Sequence, residues 1–360
     1  MPTNSGPKIT LWLNNLEEAT LRRVKQLGVD HVCMGGPKIP WTTEKLGGWI
    51  ETLGAAGLEL RLLMIGGFDD AIYGREGRDE QIEQVCASIR AAGQVELPVI
   101  EYNFYAHRIT EGYFEVEGRG GAGLLAFDYE RVRDLPPLEG VGAHPLEQMW
   151  ENVTYFLKAV VPVAESAGVR LALHPNDPPP PISRGSGQIM GSLEGWKRLV
   201  NIVPSPHNGI TFDPGVTREI GEDPVEVCRW FCERDCINHA HYRNVEMRVA
   251  REQYTEVFLD EGEVDMFAVM RELVRQRYSG LVYPEHPPQL DADRENSFPG
   301  AGGAYSGFAY TVGYARAMLQ AATAVEGPGI TIIEVICCSA PSSDGKPGSF
   351  FGFILGVANR

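Results

Sequence analysis

Four short apolar runs in the second half of the chain end in side chains that can exchange protons or hold cations. RLALH closes on His174, GITFD on Asp213, INHAH on His239 and His241 with Arg243 two residues on, and LVYPEH on Glu285 and His286. An earlier run, VIEYN, carries Glu101 and Asn103. Side chains of a strand alternate between its two faces, so Arg170, Ala172 and His174 share one side, and His239, His241 and Arg243 share another. Asp213 follows Gly209 and Thr211 by twos, small residues that suit a crowded interior, and Glu285 follows Leu281 and Tyr283. His174, Asp213, His241 and Glu285 are therefore expected to converge. Two imidazoles and two carboxylates suit a divalent cation of intermediate hardness, Mn²⁺ first, with Fe²⁺, Co²⁺, Mg²⁺ and Zn²⁺ also accepted by such a set. Four protein donors leave about two octahedral positions for substrate oxygens, which a catalytic site needs. Each residue alone has a blander use: a strand-end histidine bonds its neighbours, Asp-Pro-Gly makes a turn, and a glutamate before His-Pro-Pro is solvated. Recurrence on consecutive strands favours the shared site.

Such convergence requires a scaffold that delivers strand ends to one place. Strand-like runs at 9–15, 31–36, 58–67, 99–105, 170–175, 208–214, 237–245 and 280–286 alternate with helix-period segments at 16–27, 42–56, 79–92, 145–167, 192–202, 223–234, 264–277 and 306–323. Several helices stop at a glycine just before the next strand, as in AGVRLALH and YSGLVY, where glycine supplies a left-handed cap. Eight such units predict an α/β fold with a parallel sheet closed into a (β/α)8 barrel, the TIM barrel. An open doubly wound sheet is disfavoured because no G-x-G-x-x-G follows the first strand. Residues 1–324 are expected to form the barrel domain, with 106–143 a β-hairpin insertion over its mouth and 246–263 a smaller excursion. Residues 325–360 form a C-terminal extension that lacks the rhythm and receives no role.

Composition narrows the partners. Against 32 basic residues stand 48 acidic ones, −16 in all, and no basic run offers a footprint for a nucleic-acid backbone. No apolar stretch approaches the ~20 residues that span a membrane, and no export signal opens the chain. Seven scattered cysteines fit a reducing cytoplasm; Cys228, Cys232 and Cys236, four apart, read as a buried helix face. A small molecule is the expected partner, and self-association is left open.

At HPNDPPPPISRG (174–185), HYRNV (241–245) and YPEH (283–286) the chain resembles the mannonate dehydratase family, a metal-dependent branch of the xylose-isomerase-like barrels. The family's H-P-D-D-P-P is matched by His174-Pro175-Asn176-Asp177-Pro178-Pro179, its H-L-R-N-V by His241-Tyr242-Arg243-Asn244-Val245, and its Y-N-F by Tyr102-Asn103-Phe104. Glu263-Val264-Asp265-Met266 keeps the second half of its G-D-x-D-M turn, and a looser similarity runs from about residue 10 to 322. The resemblance implies conversion of D-mannonate to 2-keto-3-deoxy-D-gluconate and water, assisted by Mn²⁺, with His174 and His241 among the ligands. Two departures stand out. Phe212-Asp213-Pro214-Gly215-Val216 replaces F-C-x-G-S, exchanging a thiolate for a carboxylate, and Tyr283-Pro284-Glu285-His286-Pro287 replaces R-P-D-H-G. Loss of water from a sugar acid needs a base and an acid; His286 is the group suited to neutral pH, and Tyr314 aligns with a family tyrosine as its partner. Arg243 and Arg108 are expected to hold the substrate carboxylate by paired hydrogen bonds with Asn103 nearby, and Arg184 to close over it. Two other readings share the fold: a sugar isomerase or epimerase using the same cation, and a sugar-acid binding protein without catalysis.

Overall fold

Eight parallel strands close on themselves in the computed structural model, which describes residues 6–295 and 304–326. They are Lys8–Leu13, His31–Gly35, Glu59–Ile65, Val99–Tyr102, Arg170–Leu173, Asn208–Phe212, Ile237–His241 and Leu281–Tyr283. Each pairs with its sequence neighbours, and the first pairs with the eighth to complete the barrel. The fold is thus the (β/α)8 barrel that the alternation predicts.

The principal outer helices are Glu18–Gln26, Thr43–Ala55, Arg78–Gln94, Leu146–Ala167, Leu193–Ile202, Pro224–Cys232, Met266–Arg275 and Tyr305–Glu326. Thr42, Ser192, Asp223 and Asp265 begin four of them by accepting backbone amides, which satisfies donors a helix end would otherwise leave unpaired. The main core lies between strands and helices, where Val32, Leu63, Ile100, Leu171 and Val282 meet Leu53, Ile89, Val160 and Leu273. Each such side chain contributes roughly 1.5–3 kcal/mol through burial. A second cluster, Cys33, Leu62, Val99, Ala172 and Leu281, lies apart from it, with Trp12 packed against it. Cys228 and Cys236 are buried and Cys232 half-buried, although the helix stops at Cys232.

The two insertions do more than cover the mouth separately. Tyr113–Glu117 and Gly123–Asp128 form the hairpin expected within 106–143, and Asn244–Val249 with Gln253–Val257 forms the second. Gln253–Glu256 then pairs antiparallel with Leu125–Asp128, so the hairpins fuse into one four-stranded sheet. Its Tyr113 and Tyr254 hydroxyls reach Asp177 Oδ1 at 2.8 and 3.1 Å, on the loop after the fifth barrel strand. Three short helices, Asp69–Tyr73, Pro214–Glu219 and Asp291–Glu295, were not anticipated. The last helix runs to Glu326, past the expected boundary at 324, and the rest of the extension, 327–360, lies outside the described residues. Among the described residues no helix is long and apolar enough to cross a membrane.

Candidate metal centre at the barrel mouth

His174, Asp213, His241 and Glu285 each bring one ligand atom to within 4.8 Å of all the others. Every one of them leaves or follows the C-terminal end of a barrel strand, the fifth through the eighth in order. His174 Nδ1 donates to the carbonyl of Pro175 at 2.7 Å, which fixes the ring and leaves the Nε2 lone pair free. That Nε2 stands 3.2 Å from Nδ1 of His241. Two donors at right angles around an ion with bonds of about 2.1 Å stand about 3 Å apart, so the spacing is that of adjacent ligands. Glu285 Oε1 lies 2.7 Å from the same His241 Nδ1 but is a buried oxygen without a properly directed hydrogen bond. The two atoms lie side by side and face a common point. Asp213 Oδ2 is 3.7 Å from His241 Nδ1. Donor types, spacing and the orphaned oxygen all fit a divalent cation.

The electrostatics agree. Burial alone would push the His241 imidazole down, yet Glu285, Asp213 and Glu101 reverse this and hold it up at about 10. Burial would raise Glu285, but His241 and His286 hold it well below the usual carboxylate range. His174 is pushed down by burial and by His241, keeping its lone pair available. The carboxylate field thus favours positive charge at this one point.

Behind the donors stands a supporting layer. Glu101 Oε1 accepts from Thr211 Oγ1 at 2.5 Å, sits 3.2 Å from His239 Nδ1, and lies 3.7 Å from His241 Nε2. From there Glu101 adds its negative charge to His241 from behind, as outer carboxylates do around a bound cation. Asp213 also does the local work expected of an Asp-Pro-Gly turn, since Oδ1 accepts from the amide of Val216 and caps Pro214–Glu219.

A cavity of about 240 Å³ opens beside the cluster, and Asn103, Arg108, Glu285 and His286 line it with Trp12, Tyr105 and Tyr283. His286 has a left-handed backbone, φ 47°, an uncommon conformation for a non-glycine residue that concentrates at functional sites. Its Nδ1 bonds Glu256, and its Nε2 is 3.4 Å from Glu285 Oε2. Burial lowers this imidazole, but Glu256 and Glu285 raise it well above its ordinary value. Arg108 Nε donates to the Asp177 carbonyl at 2.6 Å and its Nη2 to Asp177 Oδ2 at 3.2 Å, and the residue lines the cavity.

Three expected substrate or catalytic residues do not line this cavity. Arg243 is 1% exposed; Nε donates to Asp213 at 2.9 Å and Nη1 to Glu219 at 2.8 Å, with Glu285 and Asp177 at 3.4 and 3.5 Å. Nε and Nη1 serve the protein's own carboxylates, Nη2 is buried without a hydrogen-bond partner among the described residues, and the residue does not line the cavity. Tyr314 is not brought to the mouth: one helical turn after Tyr310, it packs with that ring at 6.3 Å on the last helix, where Tyr310 bonds Asp260. Arg184 sits in a left-handed turn, φ 46°, and donates to Glu111 at 2.7 Å and to the Pro136 carbonyl, on the insertion. Tyr105 and Glu256 were missed. Tyr105 falls two residues beyond Asn103 on the same face, a readable signal; Glu256 comes from the second hairpin, and no local pattern marks it.

The fold and this mouth define a class, the (β/α)8 barrels that gather histidine and carboxylate donors for a divalent cation from consecutive strand ends. The family model for D-mannonate dehydratase (UxuA) matches residues 143–326. A mannonate dehydratase of Lactococcus lactis subsp. cremoris is 30% identical over 287 residues, 68% of this chain and 78% of that protein. One of Streptococcus equi subsp. zooepidemicus is 28% identical over 358 residues, 90% of this chain and 98% of that one. The crystal structure of mannonate dehydratase from Streptococcus suis serotype 2 superposes with a TM-score of 0.81 at 27% identity, covering 89% of this chain and 96% of that one. The chain belongs to the mannonate dehydratase family.

Proposed function

We propose that this chain is a hydro-lyase that converts D-mannonate to 2-keto-3-deoxy-D-gluconate and water, with Mn²⁺ held by His174, Asp213, His241 and Glu285. The observation that supports it most is the meeting of those four donors beside a small polar cavity in a member of this family. The cation would supply Lewis-acid stabilisation of negative charge on the substrate oxygens. Everything else falls to side chains. Arg108 lines the cavity and holds the substrate carboxylate, with Asn103 beside it. His286 keeps Nδ1 bonded to Glu256, and Glu285, once committed to the cation, would no longer hold a proton on the ring, so the neutral Nε2 is the atom that takes the C2 proton; the C3 hydroxyl leaves as water once protonated, and the resulting enol becomes the 2-keto group. Tyr105, which burial keeps protonated by raising its phenol, takes the place expected of Tyr314 as the partner of His286, and donates the proton. Arg243 holds Asp213 and Glu285 in position.

The test is turnover of a panel of aldonic and uronic acids by Mn²⁺-loaded protein. D-mannonate should give a 2-keto-3-deoxy acid, detected by periodate and thiobarbiturate, and His286→Ala should reduce the rate at least 100-fold. An isomerised or epimerised sugar in place of that product would transfer the chain to the neighbouring reaction class, and binding without any product would leave it a binding protein.

A further inference from the structure

The barrel has a second polar end. At the opposite face, where the strands begin, a cavity of about 210 Å³ is lined by Lys8, Arg61, Arg170 and Arg277, with Asp235 as the lining carboxylate. Four cations in one small cavity are unexpected in a chain of net charge −16. The alternation that aims His174 at the mouth also aims Arg170, four residues earlier on the same face, at this end, about 13 Å away along the strand.

The cations are only partly answered. Arg170 Nη2 bonds Asp235 Oδ1 at 2.8 Å. Arg61 Nη1 bonds Glu59 at 2.8 Å, but its Nε is buried without an acceptor among the described residues. Lys8 Nζ reaches the Ser279 carbonyl at 2.7 Å and has no carboxylate partner, and Arg277 makes no ion pair among the described residues. Counting Asp235 and Glu59 against the four leaves two positive charges in excess. Lys8 shows the strain: burial first, then Arg61, lower its ammonium from the ordinary value.

We infer that this cavity binds a small dianion of the phosphate type, free or carried on a metabolite, and that the ion braces the barrel floor. The excess charge matches a dianion, and Lys8, Arg61 and Arg277, which line the cavity, carry donors of the kind that grip oxyanions. The ligand would join the starts of the first, third and fifth strands to the loop before the eighth. It would stabilise the fold from a face that in these barrels governs stability and not chemistry. The inference is independent of the reaction at the mouth.

Calorimetric titration of the metal-loaded protein with inorganic phosphate, against chloride at equal ionic strength, tests it. One saturable site is expected, with a rise in melting temperature. Lys8→Gln combined with Arg61→Gln should weaken binding at least tenfold with metal content unchanged, as should Arg277→Gln alone, an exposed position that keeps the test alive if the double variant does not fold. The exposed pair Lys45→Gln and Lys158→Gln, which removes the same charge elsewhere, should leave binding as it is. No saturable phosphate heat, equal weakening by the control pair, or loss of binding in His241→Ala, which would place the anion at the mouth, overturns the proposal.

Discussion

Asp213 has both carboxylate oxygens committed, one to the helix it caps and the other to Arg243 Nε at 2.9 Å, while Oδ2 also faces the cation point. Substitutions can separate these tasks. Asp213→Asn keeps a capping oxygen of nearly equal quality but removes the charge and turns an amide NH2 toward Arg243 Nε, so metal content after dialysis should fall at least tenfold and the broken buried pair should cost about 3–5 kcal/mol. Asp213→Ala should break the same pair and lose the cap as well, a further ~1 kcal/mol. Calorimetry should therefore separate the two variants by about the cap alone, ~1 kcal/mol, while elemental analysis finds both equally short of metal. Glu101→Gln tests the layer behind. It leaves all four donors intact yet weakens the polarisation of His241, and metal affinity measured by competition with a chelator should fall about 10–100-fold. The four donors were legible because each ends an apolar run with the right face. Arg243 shares that face with His239 and His241, and nothing local says that five carboxylates from other segments surround it. Tyr314 lies off the cavity for the opposite reason: an alignment to a tyrosine says nothing of which helical face it occupies.

Helix contacts show how little space the elements leave. A Cβ on Gly93 would stand 2.4 Å from the carbonyl of Ala167, where Arg78–Gln94 crosses the end of Leu146–Ala167. Gly48, inside Thr43–Ala55, would meet nothing within 4 Å. The same change should thus have opposite signs. Gly93→Ala should destabilise by about 1–3 kcal/mol through overpacking, and Gly48→Ala should stabilise by about 0.4–1 kcal/mol by restricting the unfolded chain; urea titration of both against the parent checks it. Periodicity revealed these helices and all eight strands because each carries its own pattern. The short helix Pro214–Glu219 had a local signal too, an aspartate cap with proline in the first turn, but it was absorbed into the turn reading. The fusion of the two hairpins had none. Tyr254 opposite Phe127 joins segments more than a hundred residues apart, and pairing at that distance depends on the barrel that first brings both to the mouth.

At the scale of the molecule, the barrel carries opposite charge at its two ends, histidines and carboxylates above and lysine and arginine below, with an apolar plug of Cys33, Leu62, Val99, Ala172 and Leu281. Asp213, Glu285, Glu101, Asp177, Glu219 and Glu256 are all 7% exposed or less around the upper site, and Arg243 and Arg108 balance only part of that charge. A divalent cation binds the folded arrangement and not the unfolded chain, where the donors scatter, so it must stabilise the fold by linkage. At a free metal concentration of 100 Kd the gain is about 2.7 kcal/mol, and each further tenfold adds about 1.4 kcal/mol. For a domain of this size that means several degrees in melting temperature. Chelation by EDTA should lower the transition by this amount, Mn²⁺ should restore it, and the melting temperature should climb steadily with the logarithm of free Mn²⁺. In His241→Ala the climb should vanish. A melting temperature indifferent to EDTA in the parent would mean that the four donors hold each other and no cation.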